Sequence, residues 1–364
     1  MYIHEKQAWP NFTWNPEAIS AKLGAVRHRQ GRILGQMQGL GFRLQEETVL
    51  KTLTMDVLKS SEIEGELLNP EQVRSSIARR LGIEIAGTVP AERNVEGIVE
   101  MMLDATQKYE LPLTAERLYD WHAALFPTGR SGMFKIKVGA WRDGAMQVTS
   151  GPMGKETVHF DAPAAEKVPR EMTQFLAWMQ NEHELDPVLK AALAHLWFVT
   201  IHPFDDGNGR IARAIADLQL ARADESTQRF YSMSAQIQAE RNTYYDILES
   251  TQKGDLDVTE WMEWFLDCLM RSMEQTDDTI AKTLARAKFW ETHRDTEFNA
   301  RQQKILGLLL EDFFGKLQVS KYAKINKTSS DTALRDIQDL MKKGILEQEG
   351  SGRSTSYVLS EVRG

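Results

Sequence analysis

Ile201-His202-Pro203-Phe204-Asp205-Asp206-Gly207-Asn208-Gly209-Arg210-Ile211-Ala212-Arg213 decides how the rest of this chain is read. The run gathers an imidazole, carboxylates, small or amide residues and two guanidiniums, a mixture that core packing does not require. Upstream, 188–200 (VLKAALAHLWFVT) is apolar nearly all round, the pattern of a helix enclosed within a domain. Pro203 ends that helix, because the residue before a proline is pushed out of the right-handed α region. Downstream, Asn208 or Gly209 starts a second helix running through Arg222, with Ile211, Ala214, Ile215 and Leu218 at helical spacing. The fold class that follows is mainly α.

The Gly207-Asn208-Gly209 turn then sits at a helix N-terminus, where free amides and the positive end of the dipole gather. Missing Cβ atoms let a phosphate approach closely. Arg210 and Arg213, three apart, project from one face of the first turns and wall this cradle with positive charge. His202 suits a general base, since an imidazole titrates near neutral pH. Asp206 suits a Mg²⁺ ligand, because Mg²⁺ on nucleotide phosphates takes one or two protein carboxylates. Taken singly, the histidine and the glycine turn have plain structural readings, and their conjunction is what points to a phosphate-handling site.

These residues resemble the Fic-domain signature, His-x-Phe-x-Asp/Glu-Gly-Asn-Gly-Arg-x-x-Arg: His202, Phe204, Asp206, Gly207, Asn208, Gly209, Arg210 and Arg213 stand where it requires. The resemblance implies a Fic-type helical bundle that moves AMP from ATP, with Mg²⁺, onto a Ser, Thr or Tyr hydroxyl of another protein. It implies that His202 deprotonates the acceptor and Asp206 holds the metal. By the same resemblance the Gly207-Asn208-Gly209 amides bind the α- and β-phosphates, Arg210 the β-phosphate and Arg213 the γ-phosphate, and Phe204 anchors the loop. Kinase-like relatives depart from the signature inside the glycine turn, which favours AMP transfer here.

Composition sets the frame. At 364 residues, with 42% hydrophobic and 26% charged content, the chain can fill two or three cores. A net charge of -8 argues against wholesale binding to nucleic acid or membrane surfaces. Cys268, the sole cysteine, lies in an apolar helical run and excludes an intrachain disulfide framework. No cleavable apolar leader and no long apolar span is visible, so a cytoplasmic location is expected.

Residues 1–90 read as a helical N-terminal region, with amphipathic spacing at Ile19, Leu23, Val26, Ile33, Leu34, Met37 and Leu40. A helix at about 48–66 carries Ser60 and Glu64 on one face and Gly65 as its stop. Periodicity alone makes it a capped surface helix. Ser60-x-x-x-Glu64-Gly65 resembles the inhibitory motif of many Fic proteins, which implies that Glu64 pairs with Arg213 and denies it to the γ-phosphate. Such an Arg-carboxylate pair is bidentate and directional.

Residues 91–290 read as the catalytic domain, with helices at 91–109, 114–125 and 168–179, and further ones at 255–272 and 277–291. Runs at 146–150 and 157–160 around Gly151-Pro152-Met153-Gly154 read as a hairpin. The resemblance makes the region 141–160 a flap on which a target protein docks by strand addition. His159 can be read as a second catalytic imidazole, with a hairpin-face position the simpler reading. Tyr244 and Tyr245 are an aromatic pair that the resemblance assigns to an adenosine pocket. Residues 300–364 suggest three helices and a hairpin around 349–353, which look like a small winged helix. Its 319–359 segment balances Arg335, Lys342 and Lys343 against Asp331, Asp336 and Asp339, which favours protein docking or homodimer formation over DNA binding. Removal of AMP by the same site, and a regulator that only senses nucleotide, are the alternative functions.

Overall fold

The computed structural model describes residues 1–39, 41–85, 87–151, 155, 157–310, 316–350 and 355–360; the side chains of 278, 279, 282, 283 and 287 fall outside that description. Leu40 and the hairpin turns expected at 152–154 and 351–353 also lie outside the described residues. After a short 3-10 turn at Ile3–Glu5 come α1 (Pro16–Gln38), α2 (Phe42–Ile63), α3 (Pro70–Leu81), α4 (Arg93–Gln107) and α5 (Ala115–Leu125). Two antiparallel ladders follow, β1 (Arg130–Ser131) with β2 (Phe134–Lys135), and β3 (Gln147–Ser150) with β4 (Thr157–Asp161). The helices resume with α6 (Val168–Asn181), α7 (Pro187–Ile201), α8 (Asn208–Asp224), α9 (Met233–Ala239), α10 (Arg241–Lys253) and α11 (Thr259–Thr292). The chain closes with α12 (Ala300–Leu310), α13 (Val319–Asn326), α14 (Ser330–Lys342), β5 (Leu346–Glu349) and β6 (Ser356–Leu359).

Local chemistry sets many of these boundaries. Asn15, Asn69 and Asp186 each accept first-turn amides at an N-cap, and each is followed by a proline whose fixed φ suits the first helical position. Gly65 (φ +83°) and Gly82 (φ +70°) end α2 and α3 in the left-handed region. α11 is one continuous helix where the sequence suggested a break between 272 and 277. Met273-Glu274-Gln275-Thr276 contains neither glycine nor proline to stop it.

The chain divides into two compact units, Met1–Asp277 and Asp278–Gly364. In the first, α7 is buried along its whole length from Val188 to Ile201 and packs chiefly against α8. α4 covers α8 and also packs on α5 at Gly97, where a Cβ would run into the main-chain carbonyl of Ala124. α2 packs against α9 and α3 and reaches α8. Polar bonds brace that arrangement: Asp56 on α2 accepts from Ser232 Oγ (2.5 Å) and Ser234 N (3.2 Å), while Arg229 pairs with Asp217 (2.9 Å) and Asp224 (3.4 Å) on α8.

The second unit packs α12, α13 and α14 around Ile305, Leu306, Tyr322, Ile337 and Leu340, with the β5–β6 hairpin contributing Leu346 and Tyr357. Asp336 there accepts from Arg301 Nε (2.7 Å), Asn299 Nδ2 (2.9 Å) and Tyr322 Oη (3.0 Å), so it serves the fold of this unit. Among the described residues no helix is long and apolar enough to cross a membrane.

Candidate active site

The loop between α7 and α8 carries the site. α7 stops at Ile201, and His202 takes up a left-handed conformation (φ 51°, ψ 59°) before Pro203. A proline disfavours the right-handed region at the preceding residue but leaves open which other region is used. A left-handed non-glycine residue costs about 1–2 kcal/mol, and such strain concentrates where function needs it. His202 Nδ1 lies 3.0 Å from the Val199 carbonyl, so in the neutral ring that nitrogen carries the proton and Nε2 keeps its lone pair. Burial first, and then the Arg142 guanidinium, lower the His202 pKa below the usual histidine value, opposed by the Val199 bond and by Glu64 and Asp206. The ring is therefore a neutral base near pH 7.

Beyond it the loop is pinned. Phe204 is fully buried, stacked on His122 with ring centroids 4.2 Å apart. The Asn208 side chain closes on Phe204, accepting from its amide (2.9 Å) and donating to its carbonyl (2.8 Å). Asn208 thus contributes its side chain to the loop and only its amide to any ligand. Gly207 caps α8 at φ +79°, with the Phe126 ring 2.9 Å from where a Cβ would stand. The amides of Asn208, Gly209 and Arg210 open α8, where no preceding carbonyl exists to receive them.

The guanidiniums sit behind those amides. Arg213 is buried; its Nε donates to Ser60 Oγ (3.0 Å), and its Nη2 donates to the Ser60 carbonyl (2.8 Å) and to Glu64 Oε1 (2.7 Å). Burial opposes its charge, and the Glu64 carboxylate reinforces it. The same carboxylate lies against the backbone at Gly209, where an added Cβ would collide with it. Arg210 lies over the Phe126 ring (5.1 Å) and donates from Nη1 to Glu66 Oε2 (2.7 Å), whose other oxygen receives Asn94 Nδ2 (3.2 Å). Gly65, in the left-handed region, turns the chain between Glu64 and Glu66 so that each carboxylate meets one arginine. Arg213 Nη1 and Arg210 Nε are buried with no protein acceptor, so this donor set fits a polyanion.

Asp206 accepts from Ser131 Oγ and from the Gly207 amide (2.5 Å). Among the described residues no group of three or more His, Cys, Asp or Glu side chains is placed to hold a metal ion. Mg²⁺ on a nucleotide needs only one or two protein carboxylates, its remaining ligands being water and phosphate oxygens, and Asp206 could supply one. Tyr244 and Tyr245 part company. Tyr244 is 1% exposed in the core beside His195 (Oη to Nε2 2.9 Å) and offers a ligand no open face, whereas Tyr245 is half-buried. The Tyr245 hydroxyl lies 3.4 Å from the Ile63 carbonyl at the end of α2, which Arg241 Nε also caps (2.8 Å).

Sequence reasoning missed Glu66, Arg142, His122, Ser131 and Arg241. Arg142 donates to the carbonyls of His202 (2.7 Å), Gly144 (2.8 Å) and Pro163 (2.5 Å), so it ties both roots of the β3–β4 hairpin to the loop between α7 and α8. His122 accepts from the Gly139 amide (3.1 Å), and burial lowers its pKa to about 4, so it stays neutral beneath Phe204. These contacts join residues far apart in the chain and leave no mark on periodicity. Glu66 alone carried a signal, as a third acid beside Glu62 and Glu64.

Residues 112–220 match the Fic/DOC family, and residues 2–83 match a domain of unknown function, DUF4172. A protein adenylyltransferase Fic of Drosophila yakuba is 35% identical over 105 residues, which is 28% of this chain and 20% of that protein. The corresponding protein of Drosophila melanogaster is 34% identical over a stretch of the same length. The match thus spans about one fifth of the length of these curated relatives. In fold, the chain is similar to a Fic family protein from Desulfovibrio desulfuricans G20 (TM-score 0.56, 22% identity, 98% of this chain and 99% of that one). It is also similar to a Fic domain containing signaling protein from Bacteroides thetaiotaomicron VPI-5482 (TM-score 0.52, 22% identity, 71% and 97%). Residues 112–220, which include the 202–213 loop, thus match the Fic/DOC family, and the mainly helical fold is that of its solved members.

Proposed function

We propose that this protein transfers AMP from ATP to a Ser, Thr or Tyr hydroxyl of a target protein, and that Glu64 restrains the reaction in cis. The observation that carries this reading is the pair of buried guanidiniums at the α8 N-terminus, each held by a carboxylate from the 64–66 turn. Donors of that kind and at that spacing suit the phosphate chain of a nucleotide. His202 Nε2 accepts the proton of the acceptor hydroxyl as its oxygen attacks the α-phosphorus. The first amides of α8 and Arg210 neutralise charge on the departing pyrophosphate, and Arg213 holds the terminal phosphate. Asp206 would hold Mg²⁺, which supplies further neutralisation of the phosphates. While Glu64 occupies Arg213 and crowds Gly209, the terminal phosphate lacks its partner and the α-phosphorus is misaligned for attack. The β3–β4 hairpin, rooted on the His202 carbonyl through Arg142, suits presentation of the target strand.

Intact mass spectrometry of the Glu64→Gly protein incubated with ATP and Mg²⁺ tests the reaction type. An added AMP on this chain or on a captured target, absent in the His202→Ala companion, is the expected result. A phosphate adduct, or none on any protein present, would contradict it.

A further inference from the structure

The end of α7 and α8 remote from the 202–213 loop holds a cleft of about 570 Å³, within the usual range for small-molecule pockets. The end of α6, the first turn of α7, the last turns of α8 and the α4–α5 connection form its walls. From Arg213 to Arg222 helix α8 advances nine residues, roughly 14 Å along its axis, so this cleft and the phosphate cradle are separate places. Two cations line it. Lys190 is 5% exposed, and its ammonium donates to the carbonyls of Met179 (2.9 Å) and Glu182 (2.5 Å). Arg222 donates from Nε to the Tyr109 carbonyl (2.8 Å) and from Nη2 to the Leu111 carbonyl (2.9 Å). Those bonds leave one N–H of Lys190 and the Nη1 group of Arg222 without an oxygen acceptor among the described residues. The nearby Glu182 carboxylate bonds neither cation and is taken up by the amides of Glu184 (2.8 Å) and Leu185 (3.0 Å). Buried charges are ordinarily paired, but these two repel. Burial first, and then the Arg222 guanidinium, lower the Lys190 pKa to about 8, against a smaller pull from Glu182. The buried Gln219 amide in the same wall spends its Nε2 on the Met179 thioether (3.5 Å), a weak acceptor.

We propose that this cleft binds a small organic anion, with its carboxylate held by Lys190 and Arg222 and its apolar body against Leu113, Met179 and Pro187. A carboxylate supplies the missing countercharge and accepts the donors that the main-chain carbonyls leave over. The apolar wall selects an organic anion, because a bare inorganic ion would leave those side chains against water and fill little of the volume. Carbonyl capping accounts for the place of Lys190 and Arg222 in the fold and leaves the repulsion between them uncompensated. Charge complementarity also fixes a pH signature. Arg222, Glu182, Glu110 and His183 are the other charged or titratable groups lining the cleft. A carboxylate beside Lys190 stabilises the ammonium, so binding just above pH 8 takes up a proton, and affinity falls as pH rises through about 8.

The test is isothermal titration of the full-length wild-type protein with octanoate, benzoate and inorganic phosphate, read together with hydrogen-exchange mass spectrometry and repeated on Lys190→Met and Arg222→Gln. Saturable binding of octanoate or benzoate is expected, with exchange slowed in the peptides covering 179–190 and 219–222. Binding should take up a proton at about pH 8.5 and almost none at about pH 6.5. Affinity should fall at least about tenfold in each variant, the loss of one charged hydrogen-bond donor. Should a variant fail to fold, the wild-type exchange pattern and proton uptake decide alone. No binding of either organic anion, tighter binding of phosphate than of both, or binding without slowed exchange at 179–190 would overturn the inference. Binding that takes up no proton at about pH 8.5, or that survives both substitutions, would overturn it too. None of these outcomes touches the transferase reading, which rests on the other end of α8.

Discussion

His202 shows how much one residue owes to its setting. Its type and its place before Pro203 were legible in the sequence, as was the mixture of groups around it, because no core-packing rule explains that mixture. Its tautomer, its left-handed backbone and the Arg142 bond to its carbonyl were not, since they depend on residues 3 to 60 positions away. The lowered pKa has a consequence with a definite sign. The proposed transfer uses the neutral ring, so the rate should hold through the ordinary histidine range, about pH 6.5, and fall only as pH drops through the lower value. In Arg142→Gln the charge that opposes protonation is gone, and the acid limb of the pH–rate profile should move upward. A wild-type limb centred above 6.5, or no movement in the variant, would contradict this electrostatic account. Glu66 was legible only as one acid among several; what makes it specific is the left-handed turn at Gly65.

At the scale of elements, the contact of α2 with α8 is where the proposed restraint acts. Helix spacing predicted both elements, but spacing alone made the first a capped surface helix; that its Ser60 and Glu64 face meets Arg213 was implied by the resemblance to the inhibitory motif. Helix α3, the β1–β2 ladder and the continuity of α11 went unread. α3 is short and polar on average, β1 and β2 have two residues each, and no breaker interrupts α11. Gly209 offers a direct probe of the α2–α8 contact. In Gly209→Ala the new methyl would meet the Glu64 carboxylate, so unfolding free energy should fall by about 1–3 kcal/mol. With Glu64→Gly the obstacle disappears and the higher helix propensity of alanine remains, so the same substitution should be neutral or stabilising by up to about 1 kcal/mol. A double-mutant cycle by chemical denaturation measures the difference, and additivity would show that the two residues do not meet.

For the molecule as a whole, the compact unit Met1–Asp277 holds the motif loop, the hairpin and the helix that closes on them. Its interior contains a buried acidic group whose titration the entire unit feels. Burial first, then the nearby Asp56 carboxylate, raises the Asp217 pKa well above its usual value despite Arg229. A raised folded pKa means that this stabilisation is complete below about pH 4 and is lost as pH climbs through the raised value. The melting temperature should therefore decline as pH rises above about 4, by about 2–4 °C per kcal/mol lost, and Asp217→Asn should flatten that decline. An unchanged slope in the variant would assign the decline to other groups. Asp217 lies on α8 and Asp56 on α2, so the same titration bears on the contact that the proposed restraint uses. The proposed restraint is a competition between Glu64 and a terminal phosphate for Arg213. Its most direct measurement is the single-turnover rate of AMP transfer with saturating ATP and Mg²⁺, for wild type and Glu64→Gly side by side. The rate should be at least about tenfold higher in Glu64→Gly, with the gain abolished by adding Arg213→Ala; equal rates in wild type and Glu64→Gly would rule the competition out.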